Sequence, residues 1–568
     1  MTPVIQVCGL TYAYRRRSDQ PALNGVNLEI QNGEFLAIAG RAGAGKSTLC
    51  YALNGLIPHS FGGRMEGTVS VCDLNTRHAT VAALARHVGF VMQNAESQLI
   101  GLTVEEDIAF GLENLGLPPQ EIRQRMRDVL STVGLDVDPG RSPWRLSGGQ
   151  KQRLAIAAAI AIRPRVLVLD NPTAELDPAG KQEVMATLAR LNTQNGTTII
   201  VVNQELDEVL PYASRLVLMS HGQILVAGRP SDVLASVETG DSAGIRLPDL
   251  ARAAVELRKI RKWSGPIPMS VEEAADQFRR LHPPRQTSEP PQRGLSAGLR
   301  EPVLRVENAS FSYSDGRKIL HSICLSVKQG EFVALMGQNG AGKTTLAKHL
   351  NGLLVPTEGR VWIKGFDTRT TRVSKLARFV GYVFQNPDHQ LFAHSVEEEL
   401  RFGPRNLGWT ERDCDLAVRR GLQQIGHPQQ AGEDPFFMGS AERKLVSIAS
   451  VLAMGPSVLV LDEPATGADH HASLQVMNYL KELHRDGLTI IVVTHDVSLA
   501  AHYADRILVM RAGSIVLDGT PREVFQKTDE LRSCAIDPPA VALLSQHLGL
   551  RSFTCRVDEL VQQFSGEV

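Results

Sequence analysis

The sequence contains no run of uncharged residues long enough to cross a membrane. Its longest uncharged stretch, Leu445 to Leu461, is shorter than the roughly 20 residues that a spanning helix needs, and Gly455-Pro456 interrupts it. This stretch predicts a buried helix followed by a buried strand. The residues after Met1 lack the charged and then apolar pattern of a secretory signal. We therefore expect any work at a membrane to depend on a partner.

A charge excess and paired cysteines are also missing. Lys and Arg number 60 against 61 Asp and Glu, a net charge of -1, so the composition gives no electrostatic basis for binding nucleic acid. The seven cysteines include no CxxC pair, which is typical of reduced thiols in the cytoplasm. At 568 residues the chain is too long for one core, and two large domains with additional segments are expected.

The same landmarks occur twice along the chain, at a nearly constant separation of about 290 residues. A constant separation indicates tandem copies of one domain, and it is far too long for a solenoid repeat. The matching pairs are Gly40 with Gly337, Gln93 with Gln385, Leu146 with Met438, Asp170 with Asp462, and Gln204 with His495.

Continuous apolar runs in each copy predict buried parallel strands. They are Val166–Leu169 and Thr198–Val202 in the first copy, and Val458–Leu461 and Thr489–Val493 in the second. Strands that are covered on both faces have this composition, and helical segments lie between them. The fold class is therefore α/β.

The composition also predicts where the domains begin and end. We expect a first domain over residues 1–235, a C-terminal appendage and flexible linker over 236–301, a second domain over 302–526, and a second appendage over 527–568. The linker is expected from Arg261 onward because that stretch is rich in Pro, Arg, Gln and Ser. The segment before it resembles one near the other end of the chain, so the appendage is expected to be duplicated.

A glycine-rich segment in each copy has the form of a phosphate-binding loop, GxxxxGK[ST]. In the second copy, Gly337–Thr344 follows an apolar run and precedes the helical segment Thr345–Leu350. The glycines let backbone N–H groups turn toward phosphates, Lys343 can reach the β and γ oxygens, and the Thr344 hydroxyl can ligate Mg²⁺. Gly40–Ser47 has the same form in the first copy.

Three further motifs carry a resemblance to a known family. Leu146–Gln150 reads LSGGQ before an apolar helix, and Asp170 ends an apolar strand. With the phosphate loops, they make the chain similar to ATP-binding cassette (ABC) ATPases over nearly its whole length outside the linker. Phe384–Phe392, echoed by Met92–Leu99, resembles more narrowly the ATPase components of energy-coupling factor (ECF) importers for vitamins and transition metals.

The two copies depart from the family pattern in different places. The first copy has Asn171 where the second has Glu463, and Gln204 where the second has His495. It thus lacks the carboxylate that polarises water and the histidine that contacts the γ-phosphate in the family. In the second copy the signature motif is altered instead, since Met438–Glu442 replaces LSGGQ.

The resemblance implies that the two cassettes pair head to tail, with each ATP between one phosphate loop and the other signature. All three departures then fall on one degenerate site, formed by Lys46, Asn171, Gln204 and the segment Met438–Glu442. The residues that match the family fall on the other, hydrolytic site, and they are Lys343, Thr344, Gln385, Asp462, Glu463 and His495 with Ser147, Gly148 and Gly149 from the first copy.

The resemblance also assigns individual roles. Lys343 holds phosphates and Asp462 shares Mg²⁺ with the loop threonine. Glu463 orients and deprotonates water, His495 bonds the γ-phosphate, and Tyr313 stacks on adenine.

Three groups of site residues follow from this comparison. The catalytic group is Glu463, His495 and Gln385. The ATP-binding group in the second copy is Gly337, Gln338, Asn339, Gly340, Ala341, Gly342, Lys343, Thr344, Thr345 and Tyr313. In the first copy it is Tyr14, Gly40, Arg41, Ala42, Gly43, Ala44, Gly45, Lys46, Ser47, Thr48, Ser147, Gly148, Gly149 and Gln150. The Mg²⁺ group is Thr344, Asp462 and Gln385, with Ser47, Asp170 and Gln93 in the first copy.

The resemblance implies a fused two-cassette ATPase of an ECF-type importer that uses ATP and Mg²⁺. Its expected partners are integral membrane subunits, a transmembrane coupling component and a substrate-binding component, docked by the helical subdomains after Gln93 and Gln385. Its expected location is peripheral, on the cytoplasmic face of the cell membrane. Two alternatives stay open: the tandem ATPase of a sugar importer, which the Gln385–Gln390 motif disfavours, and a soluble tandem cassette acting on ribosomes or DNA, which the neutral charge disfavours.

Overall fold

The fold is taken from a computed structural model of the chain. The structure describes residues 3–15, 20–173, 176, 178–203, 205–236, 245–281, 302–314, 316–426, 429–465, 470–550 and 552–565. The chain divides into two compact units, Met1–Gln277 and Phe278–Val568.

Among its described residues, the first unit contains ten strands and eleven helices. The last helix ends at Phe278, one residue beyond the boundary of the unit. The strands are β1 (Ile5–Tyr14), β2 (Leu23–Ile30), β3 (Phe35–Gly40), β4 (Gly63–Val71), β5 (Leu74–Asn75), β6 (Val88–Val91), β7 (Val166–Asp170), β8 (Thr198–Val202), β9 (Arg215–Ser220) and β10 (Gln223–Gly228). The helices are α1 (Lys46–Leu53), α2 (Leu56–His59), α3 (Val81–Ala85), α4 (Val104–Asn114), α5 (Pro119–Thr132), α6 (Gly148–Ala161), α7 (Pro178–Asn195), α8 (Leu206–Val209), α9 (Pro230–Ser236), α10 (Asp249–Lys259) and α11 (Val271–Phe278).

The second unit repeats this order of strands. Its strands are β11 (Pro302–Ser312), β12 (Lys318–Lys328), β13 (Phe332–Gly337), β14 (Glu358–Ile363), β15 (Phe366–Asp367), β16 (Val380–Val383), β17 (Val458–Asp462), β18 (Thr489–Val493), β19 (Arg506–Arg511) and β20 (Ser514–Gly519). Its helices are α12 (Lys343–His349), α13 (Val373–Leu376), α14 (Val396–Asn406), α15 (Glu411–Gln424), α16 (Ser440–Leu452), α17 (His470–Arg485), α18 (Val497–Tyr503), α19 (Pro521–Phe525), α20 (Thr528–Ser533), α21 (Ala540–His547) and α22 (Val557–Ser565).

A mostly parallel six-stranded sheet forms the centre of each unit. Its order is β10-β9-β3-β8-β7-β6 in the first unit and β20-β19-β13-β18-β17-β16 in the second. Every residue of β3, β7 and β8 is buried. The predicted strands and the α/β class are therefore confirmed, and the apolar runs are explained by burial on both faces. The equal strand orders also agree with the predicted duplication.

A smaller antiparallel sheet completes each unit, in the order β2-β1-β4-β5 and β12-β11-β14-β15. Buried and exposed residues alternate along β2, since Leu23, Val26, Leu28 and Ile30 are buried. These side chains join one hydrophobic cluster with residues of the larger sheet. The antiparallel sheet therefore covers the helix that follows the phosphate loop.

Helices α4 to α6 and α14 to α16 form the helical part of each unit. Thr103 caps α4 by accepting a hydrogen bond from the N–H of Glu106, and Ser395 caps α14 in the same way from Glu398. Both helices carry three acidic residues in the first turn, where the helix dipole favours negative charge. The uncharged stretch in the second unit forms α16 and then β17, which confirms the predicted helix followed by a strand.

The segment that was expected to be linker from Arg261 onward is folded as far as residue 281. Trp263 is 4% exposed and Ala274, on α11, is fully buried. The linker prediction is therefore wrong for this part, because a composition rich in Arg and Pro masked a short amphipathic helix. The remaining residues of the expected linker, 282–301, lie outside the described part of the chain.

Helix α11 has a counterpart at the end of the second unit. Both α11 and α22 begin with Val, an acidic residue and Glu, and both have Gln-Phe at the sixth and seventh following positions. Phe278 and Phe564, which end these motifs, are 1% and 9% exposed. The duplicated appendage is therefore longer than the sequence comparison indicated.

Among the described residues, none of the helices is both long and apolar enough to span a membrane.

Candidate functional site

The phosphate loop of each unit connects a central strand to a helix, as predicted. Gly40 has a φ of 152°, and a Cβ there would lie 2.1 Å from the carbonyl oxygen of Met219. Gly337 has a φ of 150°, and its Cβ would lie 2.4 Å from the oxygen of Met510. Glycine is required at both positions because no side chain fits between the loop and the neighbouring strand.

The loop lysines are held inside their loops. Lys46 Nζ donates hydrogen bonds of 2.7 Å to the oxygens of Gly40 and Arg41. Lys343 Nζ donates to Gly337 at 2.7 Å and to Gln338 at 3.0 Å. Both side chains are less than a tenth exposed. The two ammonium groups therefore lie at the loop, where phosphate oxygens would bind.

Each loop leads into a helix whose first turn no side chain caps. Gly45 and Gly342, the residues before these helices, have left-handed backbone conformations and make no side-chain cap. The N–H groups at such a helix start favour anions. Tyr14 Oη lies 3.2 Å from Thr48 Oγ1, and Tyr313 Oη lies 3.4 Å from Thr345 Oγ1. Tyr313, which is expected to stack on adenine, and its counterpart Tyr14 thus adjoin these helices.

A hydroxyl and a buried carboxylate meet beside each loop. Thr344 Oγ1 donates to Asp462 Oδ2 at 2.8 Å, and burial raises the pKa of Asp462 although this hydrogen bond opposes the shift. In the first unit burial raises the pKa of Asp170, and the Ser47 hydroxyl opposes it. Asp170 Oδ1 is buried and has no hydrogen-bond partner among the described residues. Hard oxygen donors with one unsatisfied atom fit a Mg²⁺ ion.

Tyr382 donates a further hydrogen bond to the carboxylate of Asp462 in the second unit. Its hydroxyl donates to Asp462 Oδ2 at 3.2 Å. Burial and the charge of Asp462 raise the pKa of Tyr382 above its ordinary value, so the tyrosine stays a donor. The sequence gives no signal for this contact, because Tyr382 lies on a strand like many core tyrosines.

Glu463 and His495 come together at the ends of neighbouring strands. His495 Nδ1 lies 3.0 Å from Glu463 Oε1. Glu463 has a φ of 47°, and its N–H donates to the oxygen of Val493 at 2.9 Å. This backbone conformation is uncommon for a residue with a side chain.

Asn171 occupies the same backbone conformation in the first unit. Its φ is 50°, and its N–H donates to the oxygen of Val202 at 2.8 Å. The two units therefore keep the strained turn and differ in the side chain that it presents. Gln204, the counterpart of His495, lies outside the described residues.

The loop containing Gln385 is closed by the second glutamine of its motif. Gln390 Oε1 accepts from the N–H of Phe384 at 3.2 Å, and Gln390 Nε2 donates to the oxygen of Ser447 at 2.7 Å. In the first unit, Gln98 accepts from the N–H of Met92 at 3.0 Å. The motif thus has a structural role. The expected ligands Gln93 and Gln385 are themselves exposed.

Ion pairs connect the loops that contain Gln385 and Gln93, here called the glutamine loops, to the helices that follow the signature segments. These signature helices are α16 and α6. Asp388 pairs with Arg443 at 2.5 Å in the second unit, and Glu96 pairs with Lys151 at 2.9 Å in the first. Both pairs connect equivalent positions of the two units, so each glutamine loop is anchored to the helix that follows the signature of its own unit.

The signature segments start helices in both units. In the first, the Ser147 hydroxyl accepts from the N–H of Gln150, whose side chain accepts from the N–H of Ser147, which forms a capping box. Gly148 and Gly149 form the first turn. In the second unit Gly439 has no side chain to cap the helix, and its N–H donates to Glu442 Oε2 at 2.9 Å.

A group of polar residues lies beneath the end of β8 in the first unit, and we call it the first-unit polar cluster. It consists of Thr173, Lys181, Asn203, Glu205 and Glu208. Lys181 lies 2.8 Å from Glu205 and 2.5 Å from Glu208. Glu208 also accepts from the hydroxyl of Thr173 at 2.5 Å and from the side-chain amide of Asn203 at 3.1 Å.

The equivalent place in the second unit is mostly apolar, although Thr494 also lines it. Ala465 and Leu499 stand where the first unit has Thr173 and Glu208. They line a small cavity together with Phe332, Met477 and other residues. Neither Ala465 nor Leu499 belongs to a recognised motif, so this second difference between the units was not predicted.

Sequence profiles place the chain among known proteins. The profile of a family described as ABC transporter matches residues 23–174 and 320–466. Each match begins before a phosphate loop and ends just beyond the strand that carries Asp170 or Asp462.

Individual relatives match over nearly the full length. A protein of Caldanaerobacter subterraneus subsp. tengcongensis, whose name assigns it provisionally as an ABC transporter ATP-binding protein, is 39% identical over 554 residues, covering 96% of each chain. A protein of Methanosarcina acetivorans with the same designation is 39% identical over 557 residues, covering 96% of this chain and 91% of its own. Among solved structures, cbiO1 from Clostridium perfringens, described as part of the ABC transporter complex cbiONQ, is 36% identical with a TM-score of 0.38, covering 41% of this chain and 94% of its own.

Proposed function

Because the chain belongs to the ABC transporter ATPase family and carries two of its cassettes, we propose that it is the fused ATPase subunit of an ECF-type importer. The cargo class is a vitamin, a vitamin precursor or a transition metal ion. ATP is hydrolysed mainly at one site, whose phosphate loop belongs to the second unit. The other site binds ATP and turns it over slowly.

The contact between Glu463 and His495 is the observation that carries this assignment. A carboxylate 3.0 Å from an imidazole nitrogen is placed to accept a proton from water, since the histidine orients it. Asn171 presents an amide from the same backbone conformation, and an amide cannot accept that proton. The first unit thus keeps the geometry without the base.

The remaining groups of the second unit position the nucleotide. Lys343 and the N–H groups of its loop bind the phosphates, and Thr344 with Asp462 would hold Mg²⁺. When bound, Mg²⁺ supplies positive charge that offsets the charge of the phosphate oxygens. Because phosphoryl transfer needs mainly positioning and charge neutralisation, these residues and Glu463 are the contribution of the second unit to the site.

Head-to-tail pairing of the two units completes both sites in our proposal. Ser147, Gly148 and Gly149 then serve the nucleotide held by Lys343, and the altered segment Met438–Glu442 serves the nucleotide held by Lys46. The support is the distribution of the substitutions, because independent loss in two equivalent sites would not place all of them together.

Exposed apolar side chains in the helical parts support docking of an integral membrane subunit. Leu102 is 75% exposed in the first unit, and Phe392 and Phe402 are 53% and 51% exposed in the second. The two phenylalanine rings lie 4.6 Å apart. Glu399, which is buried, accepts from the N–H of Phe392 at 3.0 Å and holds this surface in place.

The ECF assignment rests on the motif Gln385–Gln390 and its echo in the first unit. Transport in that class uses a transmembrane coupling component and a separate substrate-binding component, and we propose both as partners. The chain would then act at the cytoplasmic face of the cell membrane and would bind no nucleic acid.

Purification from native membranes tests this proposal. We expect the tagged chain to bring down integral membrane proteins, and Phe392→Glu with Phe402→Glu to lose them while keeping nucleotide binding. Phe437, which is 91% exposed but lies next to the signature, provides the matched control as Phe437→Glu. Recovery with ribosomes or DNA and no membrane protein contradicts the proposal.

A further inference from the structure

A buried lysine connects the signature helix of the second unit to its glutamine loop. Lys444, on α16, is 5% exposed. Its Nζ donates to the backbone oxygens of Phe384 at 2.8 Å and Gln385 at 2.9 Å. Two charge-assisted hydrogen bonds from one ammonium group restrict the loop at the residue whose side chain is expected to reach the nucleotide.

The charge of Lys444 is balanced by the catalytic carboxylates of the same unit. Burial lowers the pKa of Lys444 to about 8, while the charges of Asp462 and Glu463 oppose that shift. A buried ammonium group is costly unless such compensation is present. The two carboxylates therefore favour the charged form of the lysine.

The first unit differs at the lysine and at one carboxylate together. Gln152 stands at the position of Lys444, and Asn171 stands at the position of Glu463. Gln152 is 4% exposed, and its Nε2 has no hydrogen-bond partner among the described residues. The unit that lacks the base thus also lacks the buried cation and its hold on the loop.

The ion pair between helix and loop is shared by the two units, whereas Gln390 Nε2 donates to Ser447 on α16 and Gln98 Nε2 donates to Phe90 instead. Asp388 with Arg443 matches Glu96 with Lys151. These pairs therefore do not account for a difference between the sites, whereas Lys444 and the contact of Gln390 with Ser447 distinguish the second unit.

We propose that Lys444 is a positioning residue for hydrolysis, which holds the backbone of Gln385 so that its side chain meets Mg²⁺ and the attacking water. This inference rests on the placement of hydrolysis at the second unit. In this proposal α16 serves the glutamine loop of its own unit, while the segment Met438–Glu442 at its start serves the facing nucleotide.

Lys444→Met and Lys444→Gln test the inference by steady-state ATP hydrolysis of the full-length chain with its membrane partners. We expect both variants to lower kcat about tenfold or more with little change in KM, as for the loss of a hydrogen bond to a charged group. Gln152→Met, at the equivalent place in the first unit, is the matched control and should keep wild-type kcat. The glutamine variant introduces the side chain that the first unit already accommodates, so it should fold.

A second measurement does not depend on turnover. In the Glu463→Gln background, Mg²⁺ is titrated against a bound fluorescent ATP analogue that carries a methylanthraniloyl group. We expect Lys444→Met to raise the Mg²⁺ concentration at half-saturation about tenfold, without weakening analogue binding in EDTA, whereas Gln152→Met leaves both unchanged.

The outcomes separate the two proposals. If Glu463→Gln abolishes hydrolysis and both Lys444 variants keep wild-type kcat and Mg²⁺ dependence, the inference about Lys444 is overturned and the site assignment stands. If Glu463→Gln itself retains hydrolysis, the site assignment fails. A loss of kcat that is matched by Gln152→Met also overturns the inference, because the effect is then common to both signature helices.

Discussion

Glu463 and Asn171 follow equivalent strands with nearly the same φ, 47° and 50°. The two positions therefore differ in the side chain, carboxylate or amide, and not in the φ of the backbone that carries it. At the scale of single residues, our proposal therefore assigns the difference between a hydrolytic site and a binding site mainly to one carboxylate.

We predict that Glu463→Gln lowers steady-state ATP turnover about 10²- to 10⁴-fold and leaves ATP binding intact, because the carboxylate acts on water and not on the phosphates. Phosphate release by the purified complex measures the first effect, and equilibrium binding of the nucleotide measures the second. Asn171→Ala is the matched control and should keep nearly wild-type turnover. A Glu463→Gln variant with more than about a tenth of wild-type turnover would contradict the assignment of Glu463 as the general base.

The first-unit polar cluster predicts a pH effect on stability. Burial and hydrogen bonding beside Glu205 raise the pKa of Glu208 from 4.5 to about 7, against the opposing charge of Lys181. Glu208 therefore keeps a proton in the folded state that the unfolded chain releases. Its contribution to the free energy of unfolding is fully present below its unfolded pKa and is lost as the pH rises through about 7.

Calorimetry of the full-length chain at pH 5 and pH 7.5 checks this sign. We expect Glu208→Gln to lose less stability than the wild type between the two pH values, because glutamine stays neutral. Glu183, whose side chain is 60% exposed, supplies the control as Glu183→Gln. Equal losses in the wild type and in Glu208→Gln would show that Glu208 is already ionised in the folded chain at pH 5.

At the scale of elements, α11 makes the region after α10 part of the folded unit. Ala274 is fully buried on this helix. We predict that Ala274→Asp opens the segment, since an unpaired charge is then buried, and that trypsin cleaves after Lys259 and Arg261 more than about tenfold faster than in the wild type. Mass spectrometry of timed digests identifies the bonds.

Arg280→Ser, on the exposed turn after α11, is the control for that experiment and should leave the cleavage rate after Lys259 unchanged. If trypsin cuts the wild type after Lys259 and Arg261 as fast as it cuts Ala274→Asp, the helix does not protect the segment. That result would favour the original prediction of a flexible linker.

The elements that the sequence predicted well are those whose signal is local. The runs Val166–Leu169 and Val458–Leu461 are apolar because both faces of the sheet are covered, and each phosphate loop carries its glycines within eight residues. Lys444 gave no such signal, since its partner Gln385 is 59 residues away in the chain. Glu208 was missed for the same reason, because Lys181 reaches it from another helix.

Helix α11 was missed for a different physical reason. Its buried positions are mostly alanines, which carry little hydrophobic signal, and arginine and proline surround it. Composition therefore reflected the residues that flank α11 and did not reveal the helix itself.

At the scale of the whole molecule, the proposed pairing makes residues of one unit act on the nucleotide of the other. We predict that Ser147→Arg stops turnover, because bulk and charge then lie where the γ-phosphate held by Lys343 must be clasped. Ser440→Arg should reduce turnover less, since it faces the site that lacks the base. Single-turnover hydrolysis by the purified complex measures both.

The loop lysines give the matching pair of controls. Lys343→Ala should remove nearly all hydrolysis, whereas Lys46→Ala should mainly weaken ATP binding at the other site. Equal damage from both lysine variants, with Ser440→Arg as harmful as Ser147→Arg, would mean that the two sites are equivalent and that the pairing of the substitutions is wrong.

The apolar cavity beneath Thr494 and Leu499 distinguishes the units in one more way. Hydrostatic pressure favours whichever arrangement of a protein occupies the smaller total volume, and it acts most strongly where unfilled space can be eliminated. In the first unit, Thr173, Asn203 and Glu208 hydrogen-bond to one another at the corresponding place. Compression should therefore disturb the loop that carries His495 before it disturbs its counterpart, so pressure becomes a means of perturbing one cassette of a fused pair without changing its sequence.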